Sequence, residues 1–294
     1  MTADDPLADL PETPADAGDE ADGSRLEADE PHPDVQRVMA QREKFRLLPF
    51  STLGARGARL LTRIGLWLQE SDPPAVGATS DLAIPGPAGD IDVRTYRPDR
   101  DGPYPTVVYY HGGGYVLGDL DGHDLFCRHL CVESDCEVVS VAYRRAPEHP
   151  FPAAVEDAYA AVEWAASDPD ALDCGAGTDR RGLAVAGDSA GGNLAAVTSL
   201  VAAERDGPEI DYQALLYPAV GVREDQPSVR EHTGLILTED DLADRQGSLA
   251  CYDRLTHDRS EYVEMAGVDH YMMHGERRQE VFQTVSDFHD RVSQ

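Results

Sequence analysis

From residue 35 to residue 67, apolar residues recur every three or four positions, which predicts two amphipathic helices in this part of the chain. Farther along, residues 81–84 and 91–96 have strand character and flank a turn-rich segment, which predicts a pair of strands. The apolar pattern therefore starts with helices and then changes to the two-residue period of a sheet.

Beyond residue 100, short apolar runs alternate with helical patterns. The runs predict buried strands at residues 106–110, 137–142, 183–186 and 212–216. The helical patterns lie at residues 121–132, 153–166 and 190–203. This alternation is typical of an α/β domain with a largely parallel sheet.

Residues 1–34 have no such pattern. They contain twelve acidic residues and one arginine, together with many Pro, Ala and Gly residues. A segment of this composition cannot bury enough apolar surface to offset the entropy cost of ordering it. We therefore expect a disordered acidic tail in front of one domain over residues 35–294.

The whole chain is strongly acidic, with a formal charge of -30 and Lys44 as its single lysine. Such a surface repels nucleic-acid phosphates and anionic lipids, so neither is an expected partner. Acid excess with few lysines suits a protein in concentrated salt, where screening makes self-repulsion tolerable. We expect a halophilic protein, with an ordinary acidic protein as the alternative.

The five cysteines are an odd number and contain no C-x-x-C pair. Neither a metal centre nor a disulfide framework is therefore expected, and the thiols are predicted to be buried and reduced. No stretch approaches the roughly 18 apolar residues of a membrane span. The N-terminus also lacks the basic and apolar regions of a signal peptide, so we expect a cytoplasmic protein.

Two glycine-rich motifs follow predicted strands, where open α/β sheets place their ligand sites. The first is His111-Gly112-Gly113-Gly114. The second opens a predicted helix and reads Gly187-Asp188-Ser189-Ala190-Gly191-Gly192. Its central serine has glycines two residues away on both sides, the pattern of a nucleophile elbow.

The chemistry that suits these motifs is acyl transfer. Ser189 is expected to attack an ester carbonyl and become acylated. The backbone NH groups of Gly113, Gly114 and Ala190 are expected to bind the oxyanion that forms. The alternative is a pair of glycine turns that serve only packing.

The chain from residue 33 to about residue 222 resembles the hormone-sensitive-lipase-like carboxylesterases of the α/β-hydrolase fold. The resemblance rests on "IPGPAGDIDVRTYRP", "VVYYHGGGYVLGDLDGHD", "VVSVAYRRAPEHPFPAAVEDAY" and "VAGDSAGGNLAAV". It implies a mostly parallel sheet flanked by helices, with residues 35–75 as a helical cap segment. It also implies hydrolysis of short to medium acyl esters without a metal or other cofactor. Arg145 stands where the family usually has leucine.

A serine nucleophile needs a histidine base oriented by a carboxylate, and in this fold the chain order is Ser, Asp or Glu, then His. Residues 272–275 resemble the family's Met-Ile-His-Gly loop, which favours His274 as the base over His270 on the preceding predicted strand. Asp253, in a partial match to the family's Tyr-Asp-Pro-Leu segment, is the expected acid. Asp240 and Asp241 are the alternatives.

Compared with the family, the C-terminal third is abbreviated, because several dozen residues that usually precede Tyr252 are missing. The alternative function is therefore a non-catalytic ligand-binding or defective relative without a complete triad. Amide or lactone hydrolysis would use the same nucleophile and oxyanion site. The acyl and alcohol groups of the substrate and the oligomeric state do not follow from the sequence.

Overall fold

A computed structural model describes residues 50–68, 72–167, 171–172 and 182–219. Within these residues the strands are β1 (Ala78–Ile84), β2 (Ile91–Arg97), β3 (Thr106–Tyr110), β4 (Glu137–Val141), β5 (Leu183–Asp188) and β6 (Tyr212–Leu216). The helices are α1 (Phe50–Leu68), α2 (Asp124–Ser134), α3 (Ala153–Ser167) and α4 (Ala190–Glu204).

The described strands form one sheet in the order β1-β2-β4-β3-β5-β6. β1 and β2 pair antiparallel, as do β2 and β4, whereas β4, β3, β5 and β6 run parallel to one another. Tyr110 at the end of β3 pairs with Gly187 near the end of β5. The two glycine-rich motifs therefore leave the same edge of the sheet from neighbouring strands.

Both faces of the sheet are covered, which explains the continuous apolar runs of its central strands. Val108 and Tyr110 of β3 pack on one face in the core cluster that contains buried residues of α3 and α4. Val107 and Tyr109 point to the opposite face and pack with Phe126 of α2. Every residue of β3 and of β4 is buried, so the site that follows β3 stands on a rigid base.

The largely parallel sheet predicted from the sequence is confirmed, and the strands predicted at residues 106–110 and 212–216 have those bounds. The prediction that a helix begins at residue 121 is wrong, because α2 begins at Asp124. Before it, the Asp119 carboxylate accepts a hydrogen bond of 2.9 Å from the Gly122 NH, which stabilises a turn.

The structure describes only part of the N-terminal region for which helices are predicted. Helix α1 includes the second of the two predicted helices and is interrupted at Gly54, which has φ 61° and ψ 166°. The first predicted helix and the acidic tail lie outside the described residues. Three cysteines, Cys127, Cys131 and Cys136, are buried free thiols. In the described part of the chain, no helix has the length and apolar character needed to cross a membrane.

Candidate active site

Ser189 lies in the sharp turn between β5 and α4 and is buried. Its backbone has φ 52° and ψ -114°, a combination that is strained for a residue with a side chain. The Ser189 NH donates to the Leu216 carbonyl at 2.9 Å. The Ser189 carbonyl accepts hydrogen bonds from the NH groups of Asn193 (3.1 Å) and Ala219 (2.9 Å). These backbone bonds maintain the strained turn, while the Ser189 hydroxyl makes no capping bond to α4.

Asp188, the residue before the serine, connects the two glycine-rich motifs. Its Oδ1 accepts a hydrogen bond of 2.7 Å from the Gly112 NH and one of 2.6 Å from the Tyr109 hydroxyl. Burial and the neighbouring Asp188 charge raise the pKa of Tyr109 well above its usual value, so the phenol stays protonated and donates. The structure thus brings the motif at residues 111–114 into direct contact with the turn that carries Ser189.

The glycines of the two motifs permit this close approach. A Cβ at Gly191 would lie 1.8 Å from the Tyr110 carbonyl oxygen, and one at Gly112 would lie 2.2 Å from Oδ2 of Asp188. A Cβ at Gly187 would lie 2.3 Å from the Gly191 carbonyl. Any side chain at these positions would therefore push α4 and the end of β5 away from β3.

Gly113 and Gly114 have φ values of 120° and 62°, in the region that favours glycine. The Gly113 carbonyl accepts hydrogen bonds from the NH groups of Val116 (3.1 Å) and Leu117 (2.7 Å), which closes a turn. No described residue accepts a hydrogen bond from the NH of Gly113 or Gly114, or from that of Ala190 at the first position of α4. Unpaired amides at a helix N-terminus and in a glycine loop are suitable donors to an anion.

His111 is fully buried at the start of the first motif. Its Nδ1 lies 2.9 Å from the Gly112 carbonyl, and the Tyr143 hydroxyl donates to the His111 carbonyl at 2.6 Å. The His111 ring also stacks on the Tyr143 ring with centroids 4.3 Å apart. Burial is the main cause that lowers the pKa of His111 to about 3, so the imidazole is neutral near pH 7. His111 therefore stabilises the loop through packing and through the contacts of its neutral ring with the Gly112 carbonyl and the Tyr143 hydroxyl.

The sequence predicts a histidine base and an acid in addition to Ser189. His274, His270, Asp253, Asp240 and Asp241 lie outside the described residues, so the base and the acid stay predictions. Across residues 50–68, 72–167, 171–172 and 182–219, no group of three or more His, Cys, Asp or Glu side chains could hold a metal ion.

Sequence reasoning missed the side chains that hold the two motifs in place. Tyr109 and Tyr143 contact the site through hydroxyl groups, and both lie in apolar strand or strand-end segments where a core role is the default. In the sequence, Tyr109 is marked only by its position just before the glycine motif, and Tyr143 only by its position just after β4. Asp188 was recognised as part of a motif, but its contact with Gly112 spans 76 positions and has no sequence signature.

Comparison with known proteins places these features in a family. A family model for the alpha/beta hydrolase fold matches residues 107–273. The chain is 54% identical over 146 residues to carboxylic ester hydrolase LipN of Mycobacterium tuberculosis, with 47% of this chain and 37% of LipN covered. It is 35% identical over 210 residues to an ethyl acetate hydrolase of Pseudomonas putida, with 70% of this chain and 65% of that relative covered. The chain therefore spans less than two thirds of the length of these relatives.

Solved structures of esterases have the same fold as this chain. A hyperthermophilic esterase from Pyrobaculum calidifontis superimposes with a TM-score of 0.66 at 40% identity, covering 72% of this chain and 68% of the esterase. A thermostable esterase from Pseudomonas putida gives 0.68 at 28% identity, covering 79% and 70%.

The mostly parallel sheet and the strand-turn-helix geometry at Ser189 are those of the α/β-hydrolase class of folds. The chain belongs to the α/β-hydrolase fold family. The predicted fold class is confirmed, as is the resemblance to carboxylesterases of this fold.

Proposed function

We propose that this chain hydrolyses carboxylic esters with short to medium acyl groups through an acyl-enzyme on Ser189. The names of its relatives, carboxylic ester hydrolase LipN and an ethyl acetate hydrolase among them, support the reaction class. The observation that carries the proposal is the hydrogen bond of 2.7 Å between the Gly112 NH and Asp188. Because of this contact, the loop with the unpaired glycine amides begins beside the turn that presents the serine.

The reaction follows from these parts. The Ser189 hydroxyl attacks the ester carbonyl and gives its proton to a histidine, for which His274 is the first candidate and His270 the second. The carbonyl oxygen becomes an oxyanion that accepts hydrogen bonds from the NH groups of Gly113, Gly114 and Ala190. The intermediate expels the alcohol, which takes the proton from the histidine. Water then gives a proton to the histidine and attacks the acyl carbonyl; the carboxylic acid leaves, and the histidine returns the proton to the Ser189 oxygen.

Ser189→Ala tests this mechanism, with Ser199→Ala on α4 as the matched control. Turnover of a p-nitrophenyl ester at high salt should fall at least about 10³-fold in Ser189→Ala. Within the described part of the chain, the Ser199 hydroxyl donates to the Ala195 carbonyl of its own helix, so its loss should leave turnover unchanged. A fluorophosphonate should label the wild type and not Ser189→Ala. A wild type that is folded but neither labelled nor active would support the alternative of a non-catalytic relative.

The acid of the proposed triad is Asp253, with Asp240 and Asp241 as alternatives. An acid that orients the histidine is worth about 10⁴ in turnover by analogy with other triads. We therefore expect a large loss of turnover in one of three variants and small losses in the other two: Asp253→Asn, Asp240→Asn and Asp241→Asn. Normal turnover in Asp253→Asn would remove that residue from the proposal.

We infer that the protein acts on small-molecule esters in a cytoplasm of high salt, without a nucleic-acid partner. The formal charge of -30 supports this setting, because molar salt screens repulsion that dilute buffer does not. Circular dichroism during dialysis from concentrated to dilute salt tests it. Unfolding on dilution is expected, whereas a fold and a turnover independent of salt would contradict the adaptation.

A further inference from the structure

Arg59 of helix α1 binds two loops: the first follows β3 and contains Val116, and the second follows β4 and contains Ala146 and Glu148. Its Nε donates to the Val116 carbonyl at 2.7 Å, and its Nη2 donates to the Ala146 carbonyl at 2.8 Å. The two terminal nitrogens also hold the Glu148 carboxylate, at 2.9 and 2.8 Å. The Arg59 side chain is only 20% exposed, so one guanidinium serves two backbone carbonyls and a carboxylate in a largely enclosed place.

Val116 lies in the loop that follows the glycine motif. Its NH binds the Gly113 carbonyl at 3.1 Å, so the residue that Arg59 holds is itself bound to one of the two glycines with unpaired amides. The second loop is tied to the first, because the Ala146 NH donates to the Tyr115 carbonyl at 2.9 Å. A displacement of the Val116 carbonyl would therefore change the orientation of the turn at Gly113.

The loop at residues 111–118 is fixed at several points, and among the described contacts the bond from Arg59 comes from α1. The Gly112 NH is bound by Asp188 at the start of the loop, and the Gly118 carbonyl accepts from the Arg145 guanidinium at its end. Between these ends, the Tyr115 hydroxyl donates to Asn193 at 2.7 Å, and Arg59 binds the Val116 carbonyl, whose own NH binds Gly113. Arg59 and Arg145 both donate to carbonyl oxygens of the loop, so neither competes for the NH groups of Gly113 and Gly114.

We propose that Arg59 is a positioning residue that fixes, from helix α1, the direction of the Gly113 and Gly114 amides toward the oxyanion. This inference rests on the proposed ester hydrolysis. Arginine suits the task because its planar fork presents several donors in fixed directions. A lysine has one nitrogen and cannot reach both carbonyls and the carboxylate with the same geometry.

The position of these amides matters after the substrate has bound, because charge develops on the carbonyl oxygen only in the transition state. Loss of a complete oxyanion donor lowers kcat by about 10²- to 10³-fold. Misdirecting donors that are still present should cost less. We expect Arg59→Gln to lower kcat at least about 10-fold and to change KM by less than about twofold.

Arg59→Gln and Arg59→Lys are compared with Arg63→Gln, one helical turn farther along α1. The Arg63 side chain is 65% exposed, and its Nε lies 3.9 Å from Oδ2 of Asp119. Arg63→Gln therefore removes a positive charge from α1 but no described contact with residues 111–118. Initial rates on a p-nitrophenyl ester are divided by the active sites titrated with a fluorophosphonate, so unfolded protein does not count. Arg59→Lys should show an intermediate kcat, and Arg63→Gln should match the wild type.

Glu148→Gln separates the charge pair from the carbonyl contacts. It leaves the bonds from Arg59 to Val116 and Ala146 in place, so its loss of kcat should be smaller than that of Arg59→Gln. An unchanged kcat in Arg59→Gln, or an increase in KM alone, overturns the proposal. If Arg59→Gln does not fold, the comparison of Arg59→Lys with Arg63→Gln decides by the same criteria.

Hydrogen exchange measured by mass spectrometry distinguishes this proposal from the proposed function. Peptides that cover residues 112–118 should exchange faster in Arg59→Gln than in Arg63→Gln, whether or not the protein hydrolyses esters. If the wild type is inactive but this difference is present, the hydrolase proposal fails and Arg59 still holds the loop. Equal exchange in the two variants overturns the role of Arg59, whatever the activity of the wild type.

Discussion

Replacement of Gly191 by alanine tests the close contact between α4 and β3. The new Cβ would lie 1.8 Å from the Tyr110 carbonyl oxygen, 2.6 Å from the Tyr110 carbonyl carbon and 2.8 Å from the His111 carbonyl carbon. All three atoms are backbone at the end of a strand with five buried residues, so no rotamer change relieves the overlap. Helix α4 must therefore move away from β3.

The size of the movement follows from these distances. Real Cβ contacts are essentially never shorter than 3.0 Å, so the two backbones must separate by at least about 1.2 Å. Ser189 and Ala190 move with α4, whereas Gly113 and Gly114 stay with β3. A misplacement of about 1 Å between reacting groups costs on the order of 10²-fold in rate. We expect kcat/KM of Gly191→Ala to fall about 100-fold.

Gly192→Ala is the matched control at the next position of the same helix. Its Cβ would lie 3.0 Å from the Gly187 carbonyl and 3.1 Å from Pro218, which shifts of a few tenths of an ångström relieve. Both variants are assayed with a p-nitrophenyl ester at high salt, after circular dichroism has shown that they are folded. Folded Gly191→Ala with kcat/KM within threefold of the wild type would refute the argument. A loss in Gly192→Ala as large as that in Gly191→Ala would refute it too.

Other expected outcomes concern stability and the acidic tail. The folded pKa of His111, about 3, lies below its unfolded value of 6.5, so only the unfolded chain binds the proton between these values. Stability from this residue is lost as the pH falls from 6.5 toward 3, by about 1.4 kcal/mol per pH unit. Denaturant titrations should therefore give His111→Gln a shallower acid loss than the wild type, and equal slopes would argue against a buried neutral imidazole. Asp157→Ala should cost about 2 to 4 kcal/mol, because its nearly buried carboxylate binds the Arg144 side chain and NH. Glu156→Ala removes an exposed ion pair and should cost less than about 1 kcal/mol, so similar losses at the two positions would contradict this reasoning. Deletion of residues 1–34 should leave ester turnover unchanged, and a folded but inactive truncated protein would show that the tail contributes.

The central strands could be predicted from the sequence because they are buried on both faces. Residues 106–110 form a run in which every side chain is apolar or a buried threonine, and so short a run favours a strand that is buried on both faces. The edge strand β1 was predicted too short, at residues 81–84 instead of Ala78–Ile84. Residues 78–81 of β1 are exposed, so the sequence needs no alternating apolar residues there that would reveal a strand.

The site was predictable only where the chemistry is local in the chain. The Ser189 turn and the glycine loop are contiguous motifs, so their residue types and spacing carry the information. The contact that joins them spans 76 positions, and those of Arg59 span 57 and 87. Arginine on a helix in an acidic chain usually lies on a solvated face, so Arg59 has no distinguishing mark before the fold brings its partners together.

The interruption of α1 at Gly54 has a consequence for the two parts of this helix. Gly54 has non-helical backbone angles five residues before Arg59, the residue that binds the loops. Residues 50–53 of α1 can therefore change direction without bending the helical turns that carry Arg59. A substitution in residues 50–53 should thus leave the bonds from Arg59 to the Val116 and Ala146 carbonyls in place.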